Sequence, residues 1–161
     1  MHALAKKKLA FDIWQNREKP PALNFVICIF ILALAVTGNF ISAGNQIRIV
    51  WEYNLLAGYV GKMAWLAFLL QYTYYIFEMA LVFLIIAFSQ RGFDNVCKLK
   101  IIPWGGIAVG ILWGLPHAIW KGSLSQGVLG LVKGIAFGIV YLLMKRNFRL
   151  VYPFMYLMFV L

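Results

Sequence analysis

Apolar residues in this chain gather into long runs broken by short polar or basic stretches, the pattern of a chain that crosses lipid as helices. Five segments stand out, at 24–43, 62–89, 101–120, 126–144 and 150–161. The second lies in a run from Val60 to Gln90 whose charges are Lys62, near one end, and Glu78. A helix over that run measures ~45 Å at ~1.5 Å per residue, more than the ~30 Å hydrocarbon core of a bilayer. It must therefore tilt or carry an interfacial end. The last segment has only 12 residues, short for a full crossing. Few strand or hairpin signals interrupt the runs. The predicted fold class is all-α, a polytopic transmembrane helical bundle forming one integral membrane domain over residues 1–161.

Between the segments, Ile47 to Leu56 reads as interfacial, with Trp51 and Tyr53 at headgroup depth. Residues 3–19 mix Leu4, Leu9, Phe11, Ile13 and Trp14 with a lysine run. They read as a basic amphipathic helix on the inner leaflet or as a solvated basic tail. The first apolar segment follows a 23-residue leader and is longer than a signal-peptide core, so a retained anchor is expected.

Composition supports this class: 63% of residues are hydrophobic and 12% charged, against roughly half and a quarter in soluble domains. Mean hydropathy is +0.82. The net charge of +10 changes the picture through its distribution. Lys6, Lys7, Lys8, Arg17, Lys19, Arg91, Lys98, Lys100, Lys145, Arg146 and Arg149 fall on one side of the alternating segments. Arg48, Lys62, Lys121 and, within a segment, Lys133 fall toward the other. That asymmetry predicts a multi-pass plasma (inner) membrane protein with a cytoplasmic N-terminus, whose partner is the bilayer and not nucleic acid. Cys28 and Cys97 fall in different compartments, which argues against a disulfide or a cysteine-based zinc site.

A carboxyl group at mid-membrane depth is costly, so it is paired, protonated or functional. Helical spacing places Gln71, Tyr74, Tyr75 and Glu78 on one face, a polar stripe expected to turn into the bundle. Its alternative is an interhelical hydrogen bond that only holds the fold. In the third segment Gly106, Gly110 and Gly114 fall four apart, as Gly130, Gly134 and Gly138 do in the fourth. Two such strips predict that these helices pack tightly. Pro116 tends to kink the third helix, and His117 follows it with Trp113 one turn before. That imidazole reads as a buried hydrogen-bonder, a base or a ligand. Glu78 and His117 lie 12 and 16 residues from the cytoplasmic ends of their segments, ~18 and ~24 Å, so they can share a depth. Lys133 is expected to snorkel outward or to pair with Glu78. No metal site and no cofactor is predicted.

The motif Trp113-Gly-Leu-Pro-His117 sets a histidine four residues after an aromatic. A Gly/Ser turn follows, Lys121-Gly-Ser-Leu-Ser, then Gly134-Ile-Ala-Phe-Gly138-Ile-Val-Tyr141, the basic turn Lys145-Arg146-Asn147 and a proline-led helix at Pro153. In this order, over roughly residues 75–161, these features resemble the CPBP family, also called Abi (CAAX protease and bacteriocin-processing membrane proteins). The family's first motif has two adjacent glutamates and an arginine four residues after the second. The nearest match is Phe77-Glu78 with Val82, which keeps one carboxylate; a register on Arg91-Gly92 keeps neither. The positions of a later histidine and asparagine hold Leu157 and Leu161. In the family, two glutamates and two histidines activate water for peptide-bond cleavage. The resemblance therefore implies a degenerate member with incomplete catalytic motifs.

Three functions remain open. The chain is an intramembrane endopeptidase with Glu78 as base and His117 as water-positioner or oxyanion donor. Or it is a non-catalytic relative that binds a hydrophobic peptide, lipid or partner helix, for example in bacteriocin immunity. Or it is a small transport subunit with Glu78, His117 and Lys133 as an ion relay. Gln71, Tyr74, Tyr75, Trp113 and Lys133 would line the polar cavity in each case.

Overall fold

A computed structural model describes residues 19–97, 99–120 and 122–161. The basic N-terminal segment, Lys98 and Lys121 lie outside the described residues. The described chain is all-helical: α1 (Ala22–Ser42), α2 (Arg48–Val60), α3 (Ala64–Val96), α4 (Trp104–Trp120), α5 (Leu124–Leu143) and α6 (Phe148–Val160). Three stretches are long and apolar enough to cross a membrane: Ala22–Ser42, Arg48–Val96 and Leu124–Leu143. With 17 and 13 residues, α4 and α6 are shorter.

The stretch expected to be interfacial, Ile47–Leu56, lies almost wholly within α2. It does not continue α3 in a straight line. Gly61, at φ +55°, and a single 3-10 turn at Gly61–Met63 reverse the chain. The two helices then lie side by side, with the Tyr53 and Phe68 rings 5.6 Å apart edge to face. Arg48–Val96 is thus a helical hairpin with one short and one long arm.

Three helices end in the same way. After α1, Gly44 N–H donates to Ile41 O and Asn45 N–H to Phe40 O; after α4, Gly122 and Ser123 donate to Ile119 and Ala118. After α5, Lys145 and Arg146 donate to Leu142 and Tyr141. This crossed pair of bonds satisfies carbonyls that the helix leaves open, and it needs a left-handed residue just past the end. Two of the turns use Gly44 (φ +68°) and Gly122 (φ +57°); the third uses Lys145 (φ +55°).

The tightest packing joins α4 to α5, which run antiparallel along their glycines. A Cβ added at Gly106 would stand 2.6 Å from Gly134 O, at Gly110 2.8 Å from Leu131 O, and at Gly114 2.7 Å from Gly127 O. Backbone touches backbone over the length of the pair, as the two strips predict. The core beside them is built from Met79, Phe83 and Ile86 of α3, Phe137 and Val140 of α5, and Val151 and Met155 of α6. At the basic end, buried Gln90 accepts from Gly105 N–H (3.0 Å) and donates to Ile102 O (3.0 Å) and Asp94 Oδ1 (2.9 Å). It thereby satisfies an open donor in the first turn of α4. Asp94 pairs with Arg146 at 2.6 Å, tying the end of α3 to the α5–α6 turn.

Candidate functional site

The site is organised around the C-terminal end of α6. Two carbonyls of its last turn find partners from distant helices: Met158 O accepts from Asn39 Nδ2 of α1 (3.1 Å), and Phe159 O accepts from the Arg48 guanidinium of α2. Arg48 Nε donates to Glu52 Oε1 at 2.8 Å, four residues along α2. From α3, Gln71 Nε2 donates to Glu52 Oε2 (3.1 Å) and to Tyr75 Oη (2.6 Å), while Tyr75 O–H donates to Glu52 Oε1 (3.3 Å). The buried Tyr72 hydroxyl approaches the same carboxylate without closing a hydrogen bond of ordinary geometry. Glu52 is therefore a buried acid whose charge is balanced by Arg48 and whose oxygens are satisfied, the condition that makes such a group tolerable. Lys133 Nζ donates to Asn39 Oδ1 at 2.7 Å, which brings a second cation toward the α6 end.

Phe159 is the aromatic hub. The Arg48 guanidinium lies 4.7 Å from its ring centroid and 5.9 Å from that of Tyr75, both within cation–π range. Tyr75 meets the Phe159 ring edge to face at 4.9 Å. From the other side Trp113 approaches it at 5.5 Å, and the His117 ring stands edge-on to Trp113 at 5.6 Å. His117 Nδ1 lies 2.9 Å from Trp113 O. A carbonyl only accepts, so Nδ1 carries the proton and Nε2 presents a lone pair in the neutral ring.

Glu78 sits on α3 one turn from Tyr75 and is half-buried. Its carboxylate lies within electrostatic reach of His117 and Arg48, yet its oxygens make no hydrogen bond among the described residues. Of the residues singled out in the sequence, Gln71 and Tyr75 do share a polar network, but its acid is Glu52. Tyr74 is turned outward and 59% exposed. Trp113 and His117 are together, and Lys133 engages Asn39. Glu78 and His117 supply two donors. Among the described residues no three His, Cys, Asp or Glu side chains gather where an ion could be held, so the donor set falls short of the three protein ligands of a catalytic zinc.

Sequence reasoning missed Arg48, Glu52 and Asn39. The signal was present: an acid and a base four apart in the otherwise apolar stretch Ile47–Val60 form an i,i+4 pair on one helix. The chain matches no protein-family model, no curated protein and no solved structure.

Proposed function

We propose that this chain is a CPBP-like membrane protein that receives a hydrophobic peptide or partner helix at Glu78 and His117 without cleaving it. Glu78 carries this reading. Within a long apolar helix it is an acid whose oxygens find no hydrogen-bond partner among the described residues, whereas Glu52 accepts from Arg48, Gln71 and Tyr75. An intramembrane acid of this kind waits for a partner. The CPBP resemblance supports the scaffold, and the two-donor set at the site speaks for binding over hydrolysis. The bundle holds five apolar segments in the plasma membrane, α4 and α6 being its shorter members. Its N-terminus is cytoplasmic; the support is the excess of basic residues on that side of the chain.

The test uses the full chain in lipid nanodiscs with fluorescent transmembrane peptides. Saturable binding with no cleavage product is expected. It should weaken by about tenfold, ~1.4 kcal/mol, in Glu78→Gln with the melting temperature unchanged. Cleavage that disappears in Glu78→Gln would restore the endopeptidase reading, and absence of any binding would overturn both.

A further inference from the structure

We infer that the partner's recognised group is a hydrogen-bond-donating cation, the ammonium or guanidinium of a Lys or Arg within a membrane-spanning partner helix. This rests on the reading above and adds the chemistry of the ligand. The polar atoms presented at the site are acceptors. The bond from His117 Nδ1–H to Trp113 O fixes the tautomer of the neutral ring, in which Nε2 is the acceptor. The Glu78 carboxylate is an acceptor through both oxygens, with no donor supplied among the described residues. The internal cation whose charge reaches Glu78 is already engaged: Arg48 gives Nε to Glu52 and Nη1 to Phe159 O and lies over the Phe159 ring. Arg48 reaches Glu78 only as a charge at a distance.

An anionic partner would place a carboxylate against Glu78 and the Nε2 lone pair, with nothing to donate between them. A neutral apolar helix would leave the Glu78 oxygens unsatisfied in a medium without water, at a cost of several kcal/mol. A cation offers donors to both groups and pairs its charge with the acid, and the Trp113 face beside His117 adds cation–π attraction. Beside Glu78 the surface of α3 is apolar and open, with Phe77 69% and Leu81 58% exposed. Such a surface suits the flanks of a helix that carries one charge at its middle.

The experiment reconstitutes the full chain in phosphatidylcholine nanodiscs with three leucine-rich peptides of about 20 residues, bearing a central Lys, Leu or Asp. The Lys peptide is expected to bind about tenfold more tightly than the Leu peptide. That preference should collapse to within about twofold in Glu78→Gln and survive in Glu78→Asp, which keeps the charge. Equal binding of Lys and Leu peptides would overturn the inference while leaving a binding function in place. Preference for the Asp peptide would overturn it outright. If no peptide binds, the inference falls together with the function on which it rests.

Discussion

Arg48 joins a carboxylate, a backbone carbonyl and two aromatic rings in one place. Removing the acid that balances it leaves a cation half-stranded in a low-dielectric interior, and the loss of one member of a buried pair costs about 3 kcal/mol. Glu52→Ala is therefore expected to lower stability by about that amount in chemical unfolding from detergent micelles. The double variant Arg48→Met with Glu52→Leu should recover a large part of it, because apolar groups of similar volume need no counter-charge. A double variant no more stable than Glu52→Ala would show that the cap on α6, not the ion pair, holds the site together. Arg48 was legible in the sequence as a loop cation, but its role was not. The carbonyl it serves lies 111 residues further along, and no local pattern announces a pairing across that distance. Glu78 was legible because a lone charge in an apolar run is costly wherever the run folds. Its neighbours were not, since the spacing that placed Tyr74 and Tyr75 on one face ignores that one turns outward and the other toward Glu52.

The elements separate into those whose contacts are written in their own spacing and those defined by a turn. The α4–α5 pair is of the first kind: glycines four residues apart give a smooth strip on each helix, and the strips meet. Gly110→Ala would push a methyl to 2.8 Å from Leu131 O, backbone that cannot swing aside. Overpacking of this kind costs about 1–3 kcal/mol. Gly38, toward the C-terminal end of α1, has nothing within 4 Å of an added Cβ, and Gly38→Ala should leave stability unchanged or raise it by up to ~1 kcal/mol through helix propensity alone. Thermal unfolding of the two variants side by side checks the contrast; equal effects would refute the close-packed pair. The α2–α3 hairpin is of the second kind. Its reversal rests on Gly61, a single residue in an apolar stretch, so hydropathy read the first arm as an interfacial segment apart from the long run that follows. The end of α5 is intermediate: a basic turn was legible, but not that Lys145 would hold the left-handed position that Gly44 and Gly122 hold elsewhere. A side chain there costs about 1 kcal/mol, so Lys145→Gly is expected to raise unfolding stability by about that much.

At the scale of the molecule, apolar surface that would be a liability in water is the normal exterior of a chain in lipid. Phe30, Ile41 and Ile119 are 63%, 65% and 80% exposed, and an exterior of this kind fits acyl chains. Hydropathy made that class plain from composition alone, but it could not say how many segments cross. Three stretches are long and apolar enough to cross, α4 and α6 are shorter, and α2 and α3 fold back on each other. Orientation rests on a different quantity, the sidedness of basic residues, and the fold makes it measurable without mutation. Cys97 caps the end of α3 beside the Asp94–Arg146 pair, so it reports on the basic end; Cys28 is fully buried in α1. If that end is cytoplasmic, a membrane-impermeant maleimide should leave intact spheroplasts unlabelled. It should add one label per chain once the membrane is breached, and a second only after denaturation. Cys97→Ser should abolish the first label and keep the second. Labelling of intact spheroplasts at Cys97 would invert the molecule, placing Lys145 and Arg149 outside, and would contradict the charge rule from which the orientation was argued.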